Sequence, residues 1–297
     1  MTRVVEVPSH FDHRSFDQFA RACAVPGETR LLFDAHATTW ASPYALVGLL
    51  VAGQSVVEGG AEIPLLAIPQ DRDVAHYWAR AGFFDQAQAW FEIHGKVPRV
   101  VPTGTSDVLL EITAIRGTDD VHGVVEIVQE RSQAILTHEL NLDAAATMGF
   151  AMALSEACQN IVEHAGTSGW VAVQSYNWRR RLGRNVVVIG VADSGVGFRR
   201  SLEATQAARF GDRWGDATAL EAAVFQGASR FRDPGRGQGL AGVTRYLNRW
   251  SGKLSVRSGT ARLSIVPPWD DDRPLAADLP AFPGSQLLII VPAQADE

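Results

Sequence analysis

The sequence predicts an α/β protein with two domains. The chain has 297 residues, and a compact domain usually takes about 100–200 residues. Short apolar runs of β type alternate with helical patterns between residues 30 and 85, whereas the second half opens with two helical stretches and continues with strand patterns. These observations favour one α/β domain over residues 1–100 and a second over residues 101–297.

The first half follows a βαβα order, and glycines and prolines restrain its boundaries. Gly59 and Gly60 suit the C-terminal end of a helix, and Pro98 and Pro102 give residues 95–106 the composition of a linker. The predicted elements are a strand at 31–33, a helix at 43–57, a strand at 63–68 and a helix through Trp78.

The second half carries two predicted helices and then a set of strands around a long excursion. Residues 198–239 are rich in Gly, Arg, Ala and Asp, which predicts an irregular region with helical propensity at 217–225 and the role of a lid. The other predicted elements are helices at 119–138, 142–164 and 240–250 and strands at 108–115, 170–178, 186–191, 254–256, 261–266 and 287–291.

Composition excludes several classes of protein. Hydrophobic residues make up 46% of the chain and the net charge is -6, so we expect buried cores and no broad attraction to nucleic acid or to an anionic membrane. Cys23 and Cys158 have no neighbour at C-x-x-C spacing, which argues against disulfides and structural zinc. The longest apolar run falls short of the ~20 residues that span a bilayer. We therefore expect a cytoplasmic protein.

Three polar residues are spaced by four on the predicted helix at 142–164. Glu156, Asn160 and His164 therefore share one helix face. A carboxylate can serve as a general base, and a neighbouring amide oxygen suits a hard cation such as Mg²⁺. A polar stripe of this kind is more often a solvated helix face, so it gains weight only together with other motifs.

A short acidic motif follows the apolar strand at 186–191. In Asp193-Ser194-Gly195-Val196-Gly197, the carboxylate can accept a hydrogen bond from the exocyclic amino group of an adenine. The two glycines let the backbone approach a ligand without a Cβ in the way. Standing alone, the motif is more often an ordinary turn at a strand end.

Two glycine-containing segments complete the set. Gly235-Arg236-Gly237-Gln238-Gly239-Leu240 precedes an apolar helix, so its amides and the helix N-terminus could hold phosphate oxygens. It lacks the Lys-Ser/Thr ending of a Walker loop. Pro283-Gly284-Ser285 leads into the last strand and places a hydroxyl near the end of the sheet. Each segment alone is a hinge or a turn.

In this order the four motifs resemble the successive boxes of the GHKL superfamily, and they are most similar to anti-sigma-factor kinases and sensor-kinase ATPase domains. The resemblance implies a two-layer α/β sandwich of the Bergerat type that binds ATP with Mg²⁺. It implies that Glu156 is the catalytic base, Asn160 the Mg²⁺ ligand and Asp193 the adenine contact. The further residues implied to bind the nucleotide are Gly195, Gly197 and Ser285 on the adenine side, Gly235, Arg236, Gly237, Gly239 and Leu240 in the phosphate loop, Ser229 and Arg230 in the lid, and His164 at the end of its box, where capping or packing is an equal alternative.

Residues 30–85 resemble a STAS domain, the fold of anti-sigma-factor antagonists. The resemblance rests on Leu32-Phe33-Asp34, the following helix, Gly59-Gly60, a short strand and a helix ending Ala81-Gly82-Phe83-Phe84. It departs from the family at Ser42-Pro43-Tyr44, because proline cannot accept a phosphoryl group where the family has a phosphorylatable hydroxyl. This half is therefore expected to dock a regulatory protein partner, and a homodimer is left open.

Two functions follow from these resemblances. One is a Mg·ATP-binding signalling regulator with protein serine/threonine kinase or ATPase activity, and the other is a non-catalytic module in which ATP orders the lid. An autophosphorylating histidine kinase is disfavoured, because Thr137-His138-Glu139-Leu140-Asn141 lies too close to the nucleotide domain to serve as a phosphoacceptor helix. A metal hydrolase built on His10 and His13 is a third alternative.

Overall fold

The computed structural model describes residues 2–24, 29–100, 109–115, 167–178, 182–228 and 239–294, together with residues 126–127, 130–131, 133–137, 139–140, 147, 150–151, 154–155 and 158. A four-stranded sheet lies in the first half of the chain and a seven-stranded sheet in the second. The α/β class that the sequence predicts is therefore confirmed.

The first half alternates strands with helices, as predicted. Its elements are β1 (Thr2–Glu6), β2 (His10–Phe11), α1 (Phe16–Cys23), β3 (Arg30–Asp34), β4 (Trp40–Ala41), α2 (Pro43–Glu58), β5 (Leu65–Ala67), α3 (Arg72–Arg80), α4 (Phe83–Ala87) and β6 (Glu92–His94). The strands β1, β3, β5 and β6 are parallel neighbours in that order, and β2 pairs with β4.

Helix α2 is buried on every side for most of its length. Ser42 caps it by accepting a hydrogen bond from the backbone N–H of Ala45 at 3.2 Å, and Pro43 occupies the first turn, where its missing N–H costs nothing. All residues from 43 to 54 are buried. A helix that is apolar all round must lie inside the molecule, and α2 indeed packs between the two sheets.

The second half builds an antiparallel sheet with described helices after β9 and before β10. Its elements are β7 (Leu109–Ile115), β8 (Gly169–Trp178), β9 (Arg184–Asp193), α5 (Gly197–Phe210), α6 (Asp216–Gln226), α7 (Gly239–Arg249), β10 (Lys253–Gly259), β11 (Ala261–Ile265), β12 (Leu275–Ala276) and β13 (Phe282–Pro292). The strand order is β12-β11-β10-β13-β9-β8-β7, and all of these pairs are antiparallel.

The two faces of this sheet line two different cores. On β9, Val186 and Val188 pack with α2 in one apolar cluster, whereas Val187 and Ile189 pack with the helices of the second half in another. Successive side chains of a strand point to opposite faces. We call the first side of the sheet the N-terminal face and the second the helical face.

The prediction of a long irregular excursion over 198–239 is wrong for its first part. Helix α5 occupies residues 197–210, whereas α6 at 216–226 confirms the helical propensity predicted at 217–225. Leu202 is the one buried residue of α5, so the sequence lacks the periodic apolar residues from which a helix is predicted. The lid prediction for residues 229–238 lies outside the described residues. Where the chain is described, none of its helices has both the length and the apolarity needed to cross a bilayer.

Candidate functional site

Asp193 and Ser285 meet at the end of the seven-stranded sheet. Asp193 is the last residue of β9 and lies in register with Ser285 on β13. The backbone N–H of Gly195 donates to Oδ1 of Asp193 at 2.8 Å, and the backbone N–H and the hydroxyl of Ser285 lie close enough to this carboxyl to lower its pKa. Two motifs that are far apart in the sequence thus form one site.

The carboxyl of Asp193 is buried, with 5% of the residue exposed. Burial raises its pKa to about 7, although the hydrogen bonds from Gly195 and Ser285 work in the opposite direction. An ionised carboxylate has about four acceptor positions, so the groups of Gly195 and Ser285 leave acceptor capacity for a further donor such as the exocyclic amino group of an adenine.

Two glycines with left-handed backbone, one in β13 and one at the start of α5, allow the chain segments at this site to approach one another. Gly284 has a φ of +63°, and a Cβ at this position would overlap the carbonyl oxygen of Asp193. Gly197 has a φ of +70°, and its Cβ would lie 2.6 Å from Oγ of Ser258. The sequence suggested that Gly197 makes room for a ligand, and this stays a prediction. In the structure the glycine is also required by its left-handed backbone and by the contact with Ser258.

Ser258 is a part of this site that sequence reasoning missed. The backbone N–H of Phe198 donates to its Oγ at 3.0 Å, and this hydroxyl donates to the carbonyl oxygen of Gly284 at 3.1 Å. Ser258 therefore joins the first turn of α5 to the start of β13. It lies inside a strand without any motif around it, so the sequence carried no signal for this role.

A second group that sequence reasoning missed comes from the first half of the chain. Near the turn after Asp193, five polar side chains form a hydrogen-bonded group that we call the Glu58 cluster. Its members are Gln54 and Glu58 of α2, Thr167 and Ser168 before β8, and Ser194. The C-terminal end of α2 therefore contacts the residue that follows the candidate adenine contact.

On the predicted phosphate side, α7 begins at Gly239. Leu240 is 9% exposed, and its side chain packs into the core on the helical face. Only its backbone therefore remains available to a nucleotide. The unpaired N–H groups in the first turn of a helix suit phosphate oxygens. The other predicted site residues, Glu156, Asn160, His164, Ser229, Arg230, Gly235, Arg236 and Gly237, lie outside the described residues.

The histidine pair at the N-terminus does not form a metal site. The ring of His10 stacks on Trp40 with 4.4 Å between centroids. Nε2 of His13 lies 3.3 Å from Nζ of Lys253, and burial together with this neighbouring charge lowers the pKa of His13 to about 4. Across the described ranges, no group of three or more His, Cys, Asp or Glu residues could hold a metal ion. The hydrolase alternative therefore has no support.

Comparison with known proteins bears on this second half of the chain. Residues 146–270 match the model of a family described as histidine kinase-, DNA gyrase B-, and HSP90-like ATPase. The matched segment contains the Glu156, Asn160 and Asp193 motifs and the loop at 235–240, and it ends before Ser285. No curated protein matches the chain. As the order of the motifs predicted, the family match supports a GHKL ATP-binding domain in the second half of this chain.

Proposed function

We propose that this chain is a signalling regulator that binds Mg·ATP and acts as a protein serine/threonine kinase or ATPase of the anti-sigma-factor type. The observation that carries the proposal is the buried carboxyl of Asp193, held by Gly195 and Ser285 within a domain matched by an ATPase family. In its ionised form such a carboxyl accepts a hydrogen bond from the amino group of adenine and has no donor for the carbonyl oxygen of guanine.

Each part of the proposed site has a separate task. Asp193 binds the adenine, and Ser285 orients its carboxyl. The first turn of α7 and the glycines of the 235–239 loop bind phosphate oxygens through their backbone N–H groups. In line with the GHKL resemblance, Asn160 would hold the metal and Glu156 would accept the proton of the attacking hydroxyl or water. Bound Mg·ATP supplies the phosphoryl group for this transfer.

The first half of the chain supplies partner recognition in this proposal. Its four parallel strands and intervening helices are compatible with the STAS resemblance and suit a docking half for a regulatory protein in the cytoplasm. Ser42 is 4% exposed and uses its hydroxyl to cap α2. The hydroxyl is therefore inaccessible to a kinase, and we place the phosphoacceptor on the partner rather than on this half.

The binding step is tested by calorimetry with ATP and Mg²⁺ on the wild type and on Asp193→Asn. We expect the substitution to weaken binding by more than about tenfold, because it removes a hydrogen bond to a charged acceptor. Asp212→Asn is the matched control, since Asp212 is exposed and lies in the turn between α5 and α6. A wild-type protein that binds no ATP would contradict the proposal.

The catalytic step is separated from simple switching by Glu156→Gln. In a kinase or ATPase this variant binds Mg·ATP as the wild type does but releases ADP at least about a hundredfold more slowly. Equal ADP release by both proteins would favour the alternative, in which ATP only orders the lid. The Glu58 cluster is the observation that favours this alternative, because it connects the candidate nucleotide site to the docking half.

A further inference from the structure

A single carboxylate connects α2 to both strand ends next to the candidate adenine site. Oε1 of Glu58 accepts hydrogen bonds from Nε2 of Gln54 at 2.6 Å and from the hydroxyl of Thr167 at 3.0 Å. Its Oε2 accepts one from the hydroxyl of Ser194 at 2.9 Å. Hydrogen bonds to an ionised acceptor are stronger than neutral ones, so Glu58 fixes these three side chains relative to α2.

Gln54 holds Glu58 in this arrangement from one turn earlier in α2. The residue is fully buried, and its Nε2 also lies 3.0 Å from the hydroxyls of Thr167 and Ser168. Residues four apart share a helix face, so Gln54 and Glu58 present one polar surface to the strand ends. The polar contact between α2 and the strand ends is therefore buried at Gln54 and exposed at Glu58.

Ser194 lies between the two groups that define the candidate adenine contact. It follows Asp193 and precedes Gly195, whose N–H donates to the Asp193 carboxyl. On β9 the side chains alternate between the two faces, so Asp193 continues the helical face and Ser194 points to α2. A force on Ser194 therefore acts on the backbone that carries both Asp193 and its donor.

We propose that Glu58 is a positioning residue for adenine recognition, through which the N-terminal half sets the affinity of the second half for adenine nucleotides. This inference rests on the proposed function, since it assumes that Asp193 contacts an adenine. Glu58 holds the turn at 193–195 in the conformation that presents the carboxyl to the base. Loss of the carboxylate frees the turn, and each binding event then has to order it again.

The experiment measures the binding of adenosine, ATP, GTP and inorganic triphosphate by calorimetry to the wild type, Glu58→Ala and Glu58→Gln. We expect Glu58→Ala to weaken the binding of adenosine and of ATP about three- to fivefold, which is the effect of one hydrogen bond. The ratio of the ATP affinity to the GTP affinity should also become smaller. Triphosphate binding stays unchanged, because it does not use Asp193. Glu58→Gln keeps one acceptor oxygen and recovers part of the affinity.

Glu62→Ala is the matched control, because it removes a carboxylate from the same half that pairs with Arg30 instead. Ser194→Ala provides a second variant on the other side of the contact, and its effect on adenosine affinity should not add to that of Glu58→Ala. The inference would be overturned if Glu58→Ala bound adenosine as tightly as the wild type does. It would also be overturned if the variant lost as much affinity for triphosphate as for adenosine. If the wild type binds triphosphate but not adenosine, the assignment of Asp193 is wrong. If it binds neither ligand, the proposed function is wrong. The inference fails in both cases.

Discussion

The two faces of the seven-stranded sheet are closed in different ways. The N-terminal face is covered by α2 and, toward β10 and β11, by buried ion pairs. The helical face has an apolar core that ends in polar groups, with Asp193 and Ser285 at one strand end. One face therefore holds the two halves of the chain together, and the other ends in a buried carboxyl that a ligand can use.

The ion pairs of the N-terminal face are balanced in charge. Lys253 and Arg257 are almost fully buried, and Arg262 lies beside them. The carboxylates that pair with these three cations are Asp17 of α1 and Asp270 and Asp272 of the segment after β11. Equal numbers of opposite charges make burial tolerable, but each partner becomes costly to remove.

Lys253→Met should produce the largest loss of stability. Nζ of Lys253 lies 2.8 Å from Oδ1 of Asp270 and 3.0 Å from Oδ2 of Asp272. Its loss leaves one negative charge of the network uncompensated, although Asp272 keeps Arg262 and Asp270 keeps Arg14. We expect the free energy of unfolding in urea to fall by about 3–5 kcal/mol. The exposed Arg273 of the same segment provides the control Arg273→Met, which should change little. A loss below about 1 kcal/mol for Lys253→Met would show that the network adds no stability.

Gly190→Ala should be nearly as damaging, through packing rather than charge. A Cβ on Gly190 of β9 would lie 2.5 Å from Cα and 2.6 Å from the backbone nitrogen of Tyr44, at the start of α2. Backbone atoms cannot move aside as a flexible side chain can, so we expect a loss of about 3 kcal/mol. Gly215→Ala is the control, because a Cβ there meets no atom. Equal stability of the two variants would mean that α2 can shift away from the sheet.

The sequence predicted the parts of the molecule that depend on local patterns. Helix α2 and strands β8 and β9 follow from apolar runs, and the order of the motifs indicated that Asp193 and Ser285 share one site. Helix α5 was missed because only Leu202 is buried. The Glu58 cluster could not be predicted from the sequence for another reason. Glu58 and Ser194 are 136 residues apart, and a hydrogen bond between a hydroxyl and a carboxylate produces no periodic pattern in the sequence.

The same lack of signal applies to the N-terminal face. Lys253 and His13 are 240 residues apart, and a lone lysine in a strand pattern is usually read as a solvated position. The sequence shows which residues are apolar but not which polar residues the fold will bury together. In this chain those buried polar groups hold the two halves in contact.

Asp193→Asn tests the helical face, where a polar group should cost stability instead of supplying it. Burial raises the pKa of Asp193 from 3.8 to about 7, so between pH 4 and 7 this side chain is largely ionised in the unfolded chain but largely protonated in the folded protein. The folded state is therefore penalised increasingly as the pH rises through this range, and the full penalty applies above pH 7. Asparagine does not ionise, so the variant should be more stable than the wild type at pH 8 by roughly 2 kcal/mol.

The measurement is urea unfolding without nucleotide at pH 5 and pH 8, with Asp212→Asn as the control for the change in charge. We expect the advantage of Asp193→Asn to shrink toward pH 5, while the control follows the wild type at both values. A variant less stable than the wild type at pH 8 would mean that the hydrogen bonds from Gly195 and Ser285 outweigh the cost of burial. Greater stability together with weaker ATP binding would instead show that this carboxyl is kept for its ligand, since it then destabilises the fold that carries it.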